Sequence, residues 1–354
     1  MRKRSISFFI VCLLFNWNLI FSQENKDSDE AKMLKVKKES QQEYNNAVEK
    51  IKNKQYHEAL MYLEKAIELD PKFALAYLQR GKVKFELNDI KQALIDFNRV
   101  IEMDPAIGEA YFCKGYTYFT LDSVKSTFPD FEKAISSGYT QPEVYYYSGV
   151  VKLLAGKYAD AIMDFNLAVE KKPDYALAYH DRGSAKRQLG DYQGAIYDYR
   201  QAVHYNPNFA MAYDNMGSVK TITGDFQGAI ESYDIAINID PKFYIAINNR
   251  GRARYLMGDY EGAIKDFDNV ISIKEDYTYS LNNLGNAKAK INENDASIEL
   301  YDKALEYEDQ YGIAFLNRGF VKELTGDIDG ACDDWGKALK LGVEEAARYV
   351  EECK

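Results

Sequence analysis

Residues 175–207 read YALAYHDRGSAKRQLGDYQGAIYDYRQAVHYNP, and variants of this stretch fill the chain from Ser40 to about Glu345. Nine copies follow one another at a spacing of 34 residues without an insertion. A small residue marks the same place in every copy: Ala47, Gly81, Gly115, Gly149, Gly183, Gly217, Gly251, Gly285 and Gly319. Self-similarity at such a period is typical of a repeat array, in which each unit packs mainly on its neighbours.

Each copy predicts two helices joined by a tight turn. In residues 175–207, small and apolar side chains recur at the spacing of one helix face. Gly190 supplies a left-handed cap, and Asp191 caps the start of a second helix. That helix ends before Pro207, because the residue preceding a proline is pushed out of the α region. We therefore predict an all-α fold, an α-solenoid of helix–turn–helix hairpins.

The glycines lie inside the predicted first helices, where each costs about 0.8–1.0 kcal/mol relative to alanine. Alanine would be the better residue unless the site had no room for a methyl group. We therefore expect the two helices of a hairpin to approach closely, with the glycines facing the alanines of the second helix. The corresponding second-helix positions are Ala59, Ala93, Thr127, Ala161, Ala195, Ala229, Ala263, Ser297 and Ala331.

A repeated charge pattern predicts ion pairs inside the hairpins. Five copies carry a cation just before the glycine: Arg80, Lys114, Arg182, Arg250 and Arg318. The same five copies carry an acid in the second helix: Asp96, Asp130, Asp198, Asp266 and Asp334. We expect each cation to pair with the acid of its own hairpin. A further Lys or Arg, such as Lys84 or Arg254, is placed to share that acid.

The third copy departs from the pattern. Pro129 falls within its second helix, Thr127 stands where the other copies have a smaller residue, and Tyr139 replaces the terminal proline. Because proline disrupts a helix interior, we expect that helix to start late, near Phe128, and the array to bend or loosen there.

The first 22 residues have the pattern of a secretory signal. Three cations at positions 2–4 precede a mostly apolar stretch from Ile6 to Phe21, and Ser22 is a small residue before a polar region. We expect cleavage after Ser22 and export to the periplasm or the medium. The alternative is an uncleaved anchor, although the apolar stretch is short for a span of about 20 residues.

The chain is thus predicted to contain four segments. Residues 1–22 are the signal peptide, and residues 23–39 form a charged linker whose later part extends the first helix. Residues 40–345 hold the nine repeats, and residues 346–354 form a solvating helix that covers the last hairpin.

Charge and cysteine content narrow the possible functions. A net charge of −10 repels nucleic acid, and we expect membrane contact only through an uncleaved signal segment. After cleavage, Cys113, Cys332 and Cys353 remain, an odd number without metal-ligand spacing, so neither a disulfide framework nor a metal site is expected. The sequence offers no nucleophile–base set, so we expect no enzyme and no cofactor.

The repeat resembles the tetratricopeptide repeat. The resemblance is carried by Tyr77, Gly81, Ala93, Phe97 and Pro105 in one copy, and by Tyr179, Gly183, Ala195, Tyr199 and Pro207 in another. It implies a right-handed superhelix with an inner groove lined by the first helix of each pair. It also implies recognition of peptides or proteins and no enzymatic activity.

The candidate groove has two chemical halves. Copies two to four offer aromatic residues such as Phe112, Tyr116 and Tyr146 as apolar anchors for a partner. The alternative is that these rings only pack between neighbouring first helices. Copies five to nine offer polar candidates: Asn215, Asn248, Asn249, Arg252, Asn282, Asn283, Asn286 and Asn317.

Asn215, Asn249, Asn283 and Asn317 recur once per copy and form what we call the asparagine ladder. An amide has both a donor and an acceptor, so a ladder of amides can bind an extended peptide backbone independently of peptide sequence. The pattern resembles the asparagine ladder in the repeat region of O-linked N-acetylglucosamine transferase. The alternative is that these amides hydrogen-bond only within the protein.

The sequence therefore predicts an exported, non-enzymatic scaffold that binds a peptide or protein along its groove. A structural subunit of a bacterial envelope assembly is the alternative function. The oligomeric state is left open.

Overall fold

The computed structural model describes residues 30–121 and 124–353, except the side chains of residues 124–127. In these ranges the backbone forms helices and turns and no strand. Helix α1 covers residues 30–52. The helices that follow are α2 Tyr56–Leu69, α3 Ala74–Glu86, α4 Ile90–Met103, α5 Gly108–Thr120, α6 Val124–Ser136, α7 Pro142–Leu154, α8 Tyr158–Lys171, α9 Ala176–Gln188, α10 Tyr192–Tyr205, α11 Ala210–Ile222, α12 Phe226–Ile239, α13 Tyr244–Met257, α14 Tyr260–Ile273, α15 Thr278–Lys290, α16 Asn294–Tyr307, α17 Gly312–Thr325, α18 Ile328–Lys340 and α19 Ala347–Glu352, with a 3-10 turn Glu344–Ala346 before α19.

The predicted turn chemistry is confirmed. Gly190 adopts φ 79°, a left-handed conformation that favours glycine, and the Asp191 side chain accepts a hydrogen bond from the Gly194 backbone N–H at 3.0 Å. The same arrangement recurs at Asp225, Asp259 and Asp327. The second helices also end as predicted. For example, α10 stops two residues before Pro207.

Two facing helices make each hairpin, and the glycines mark their closest approach. A Cβ atom built on Gly217 would lie 2.6 Å from Cε1 of Tyr233, and one on Gly251 would lie 2.7 Å from Cε1 of Phe267. The close approach was predicted, but the expectation that these glycines face alanines was wrong. Seven of them face the large aromatic ring of the second helix, and the missing methyl group makes room for that ring: Gly81, Gly115, Gly183, Gly217, Gly251, Gly285 and Gly319.

The predicted ion pairs are confirmed in all five hairpins. Arg182 Nε and Nη2 donate to the two carboxylate oxygens of Asp198 at 2.9 and 2.6 Å, in the parallel geometry that makes such pairs strong. Lys186 reaches the same acid at 2.8 Å. The equivalent pairs are Arg80–Asp96, Lys114–Asp130, Arg250–Asp266 and Arg318–Asp334. Because Asp198 is 0% exposed, removing these cations would leave a buried carboxylate without a partner.

The second helix of the third repeat does not start late, so that expectation was wrong. Helix α6 begins at Val124 and runs through Pro129 to Ser136. Proline removes one backbone donor, and in the second turn of a helix this costs a single intrahelical hydrogen bond. Packing of Phe131, which is fully buried, opposes the disruption.

The C-terminal cysteines also correct the sequence analysis. Cys332 on α18 and Cys353 after α19 form a disulfide with a Cα–Cα distance of 5.8 Å. The odd count concealed this pair because Cys113 is a separate, buried free thiol. The disulfide holds α19 near Phe320 and Trp335, where the Tyr349 ring packs edge-on against Phe320 and at a tilt against Trp335.

Contacts divide the chain into two compact units, with unit 1 ending at Lys152 and unit 2 beginning at Leu153. In unit 2, successive first helices pack on each other: α9 on α11, α11 on α13, α13 on α15 and α15 on α17. Within the described ranges, successive second helices have no comparable contact. The first helices of unit 2 therefore form one continuous face on the more tightly packed side.

The predicted signal peptide, residues 1–22, and its cleavage after Ser22 lie outside the described residues. Residues 30–39, which belong to the predicted linker, are helical and continue into the first repeat. No helix in residues 30–121 and 124–353 is long and apolar enough to cross a membrane.

Candidate functional site

The asparagine ladder lies on the face formed by α9, α11, α13, α15 and α17, which we call the groove face of unit 2. Each ladder amide donates a hydrogen bond to the residue 35 positions earlier, on the preceding first helix. The four bonds are Asn215 to His180 at 2.8 Å, Asn249 to Asp214 at 2.9 Å, Asn283 to Asn248 at 3.1 Å and Asn317 to Asn282 at 2.9 Å. The ladder thus joins consecutive repeats, as the local alternative proposed.

For two of the ladder amides, Asn249 and Asn215, the partner determines which end of the amide points to the neighbouring helix. Asp214 can only accept when it is ionised, so the NH₂ group of Asn249 faces it. His180 Nδ1 lies 2.8 Å from a carboxylate oxygen of Asp181, so that nitrogen carries the proton and Nε2 accepts from Asn215.

The ladder amides keep part of their hydrogen-bonding capacity. Asn215, Asn249, Asn283 and Asn317 are half-buried. Among the contacts of the described residues, each uses one N–H, and its Oδ1 accepts no bond. A free acceptor and a second N–H per repeat are the two groups that a peptide backbone requires. Local bonding and ligand binding are therefore compatible.

The other polar candidates have different roles. Asn248 and Asn282 are buried, 6% and 4% exposed, and act as acceptors for the ladder. Asn286 accepts a hydrogen bond from the Tyr301 hydroxyl at 2.7 Å. Arg252 is exposed beside Asn249.

Asp214 is the acceptor with unusual electrostatics. Its side chain is buried, 5% exposed, and burial raises the pKa of this carboxyl from 3.8 to about 6, although the bond from Asn249 and the charge of Arg187 oppose the rise. The equivalent position in the next two repeats is the neutral Asn248 and Asn282. One ladder acceptor is thus charged at neutral pH and the next two are not.

An apolar stripe on the groove face was missed by the sequence analysis. Its members are 39–55% exposed, although all are large and apolar: Leu177, Met211, Ile245, Tyr279 and Ile313. Four of them lie four residues before a ladder asparagine, which puts both on one side of the helix. The stripe could have been predicted from the sequence, because a large apolar residue recurs at 34-residue spacing outside the packing positions.

A cavity of about 250 Å³ opens on the groove face among α9, α11 and α13. We call it the arginine pocket. Its lining consists of Arg187, Ser218, Thr221, Ile222, Tyr233, Asn249, Arg252 and Leu256. Asn249 and Arg252 are site residues predicted from the sequence, and the fold adds Arg187 from two repeats earlier.

The aromatic candidates lie in unit 1, and they pack on each other. The Phe112 ring lies 6.1 Å from that of Tyr116 and 5.1 Å from that of Tyr139, and Tyr147 lies 4.9 Å from Tyr116. Tyr146 is 9% exposed and packs edge-on against Tyr147. The rings therefore form a packed cluster, and their role as partner anchors stays a prediction.

A cavity of about 350 Å³ adjoins this aromatic cluster, between α1, α3 and α5. Phe85, Phe112 and Tyr116 contribute to its lining, together with Lys82, which pairs with Glu109. Cys113 also lines it, and burial raises the pKa of this thiol to about 12, so the thiol stays neutral. In the described part of the chain, no group of His, Cys, Asp and Glu is arranged to hold a metal ion.

Two family models match the chain. The first, described as TPR repeat, matches residues 183–221 and 251–292. The second, described as Tetratricopeptide repeat, matches residues 44–73, 74–107, 210–243 and 278–311. Together they cover more than half of the sequence. No curated protein sequence matches the chain significantly.

Solved structures share the fold. YrrB, described as a TPR protein with an unusual peptide-binding site, is 24% identical with a TM-score of 0.50, over 52% of this chain and 95% of its own. A tetratricopeptide repeat protein from Parabacteroides merdae is 16% identical with a TM-score of 0.58, over 68% of this chain and 98% of its own. A chain of the APC/C hetero-tetramer Cut9–Hcn1 is 16% identical with a TM-score of 0.56, over 84% of this chain and 58% of its own. At these identities the likeness is one of fold.

Proposed function

Because this chain belongs to the tetratricopeptide repeat family, whose members are generally scaffolds for protein–protein interaction, we propose that it binds an extended segment of a partner protein along the groove face of unit 2. The single observation that carries this proposal is the asparagine ladder with its four free acceptors beside an exposed apolar stripe. The description of YrrB as a peptide-binding TPR protein agrees with this class of ligand.

The spacing of the ladder fits an extended peptide. Packed helices lie about 8–10 Å apart, so four ladder positions span roughly 30 Å. An extended chain advances about 3.3–3.6 Å per residue, and the ladder therefore matches roughly nine residues, with one amide for every three. The backbone would bind the free amide groups, and apolar side chains would pack on the stripe.

The experiment selects ligands from a random peptide display library on the immobilised protein. The groove variant carries Ile245→Ser and Tyr279→Ser, at side chains 39% and 55% exposed. The control carries Leu167→Ser and Ile235→Ser, at side chains 38% and 42% exposed on second helices. Both variants remove similar exposed apolar area, so both should fold.

We expect the wild type and the control to enrich related peptides and the groove variant to lose that enrichment. Equal enrichment by the two variants would place the binding surface elsewhere. Absence of enrichment on the wild type would refute peptide binding altogether.

We also propose that the protein acts outside the cytosol. The signal-like residues 1–22 and the Cys332–Cys353 disulfide support this location, because disulfides persist in oxidising compartments. The mass of the protein purified from its own cells provides the test. A mature chain that begins at Gln23 and carries the disulfide is expected, whereas an intact N-terminus with reduced cysteines would contradict export.

A further inference from the structure

Arg187 and Arg252 differ from the other arginines of the first helices. Every other one forms an ion pair with an aspartate: Arg80, Arg182, Arg250, Arg254 and Arg318. Among the contacts of residues 30–121 and 124–353, Arg187 and Arg252 have no carboxylate within 4 Å. In a chain of net charge −10, these two arginines thus place positive charge on the groove face without an ion-pair partner.

Both arginines line the arginine pocket, with α11 between the helices that carry them. No acidic side chain is part of that lining. The charge of Arg187 acts on the carboxyl of Asp214, which accepts from Asn249 and forms no ion pair in the described structure. The positive charge of the pocket is therefore available to a ligand.

The neutral lining residues add donors. The Tyr233 hydroxyl donates to Ser218 Oγ at 3.4 Å, and Thr221 Oγ1 donates to the backbone carbonyl of Gly217 at 3.0 Å. Ser218 consequently accepts one bond and keeps its own O–H, which has no acceptor among the described residues. Asn249 uses one N–H for Asp214 and keeps the other. Two guanidinium groups, a hydroxyl and an amide N–H make a set of donors.

We propose that the arginine pocket binds the carboxylate of an Asp or Glu side chain within the extended partner segment. This inference rests on the proposed function and adds a specificity to it. Guanidinium and carboxylate groups form short, charge-assisted hydrogen bonds. Ile222 and Leu256, which are 56% and 46% exposed, line the same pocket and can pack on the aliphatic part of that side chain.

The position of the pocket favours an internal side chain over a terminal carboxylate. Ladder asparagines lie on both sides of it: Asn215 precedes Asn249 along the array, and Asn283 and Asn317 follow. A peptide that follows the ladder therefore passes through the pocket and does not end there.

The test repeats the display selection with twelve-residue peptides fused at their C-termini to a carrier, so that they have no free terminal carboxylate. The pocket variant carries Arg187→Gln and Arg252→Gln. The control carries Arg200→Gln and Lys265→Gln, which remove the same charge from exposed sites on α10 and α14. Circular dichroism confirms that both variants are folded.

We expect the wild type and the control to enrich peptides with Asp or Glu at one fixed position, and the pocket variant to lose that preference. For a synthetic selected peptide, replacing this Glu by Gln should weaken binding to the wild type about tenfold or more and leave binding to the pocket variant unchanged. High salt should reduce the difference.

The failures are distinguishable. Peptides enriched by the wild type without an acidic position would overturn the arginine pocket assignment and leave the proposed function intact. The same acidic preference in the pocket variant would also overturn it. No enrichment over carrier alone would refute both the pocket assignment and peptide binding.

Discussion

Asp214→Asn should make unit 2 more stable at neutral pH. The Asp214 carboxyl is 5% exposed and accepts a hydrogen bond from Asn249, so replacement by Asn keeps the acceptor and removes the buried charge. The next repeat already has an asparagine at the equivalent position, where Asn248 accepts the corresponding bond from Asn283. The substitution therefore copies a neighbouring geometry.

The sign and size follow from the pKa of Asp214, which burial raises from 3.8 to about 6. The folded chain holds this proton up to about pH 6, whereas the unfolded chain loses it near pH 4. The contribution of the protonated Asp214 carboxyl to the free energy of unfolding is fully present below the pKa of the unfolded chain. It is lost as the pH rises through the pKa of the folded chain. Two pKa units correspond to roughly 3 kcal/mol. Asp214→Asn should recover up to that amount at about pH 7.5, and roughly half of it at about pH 5.

The assay combines urea unfolding with hydrogen exchange of α11 and α13, because repeat arrays open locally. The reciprocal variant, Asn248→Asp, is the matched control and should destabilise the protein at about pH 7.5 more than at about pH 5. The reasoning is refuted if Asp214→Asn lowers stability at neutral pH, or if its effect is the same at both pH values.

Three further substitutions test the fold. Gly217→Ala places a methyl group 2.6 Å from a ring atom and should destabilise the fold by about 1–3 kcal/mol. The control, Gly336→Ala, has nothing within 4 Å of its Cβ and should be neutral or stabilise the fold by up to about 1 kcal/mol. Thermal melts of the two variants provide the comparison. Cys332→Ser should cost about 3 kcal/mol of local stability and expose α19 to hydrogen exchange. A reductant should have the same effect on the wild type, and a wild type that a reductant leaves unchanged would contradict the disulfide. Asp198→Ala leaves the Arg182 guanidinium buried without its acid and should cost about 3–5 kcal/mol in urea unfolding, more than replacing both residues by Leu.

Features within a single hairpin could be predicted from the sequence. The glycine caps, the proline stops and the Arg182–Asp198 pair involve residues at most 16 positions apart and recur in phase, so the period itself reveals them. Pro129 misled the prediction because the sequence rule for proline ignores the packing that stabilises α6.

Features that join different repeats could not be predicted in the same way. The direction of the ladder bonds, such as Asn249 to Asp214, depends on how far one hairpin is rotated against the next. The meeting of Arg187 and Arg252 in one pocket depends on the same rotation. The Cys332–Cys353 pair required knowing that α19 folds back toward α18, which no repeated position encodes.

Each ladder bond joins a donor to an acceptor 35 residues earlier, which is one repeat of 34 residues plus one position. Every 34-residue block therefore contains one donor for the preceding block and one acceptor for the following block. Residues 244–277 contain Asn248 and Asn249, and a tandem duplication of this block would supply the copy's Asn249 with an Asn248 partner. Asn283 would in turn donate to the Asn248 of the copied block. The array can therefore be lengthened by a modular insertion that leaves every cross-repeat amide bond satisfied, which offers a direct route to genetically adjustable scaffolds.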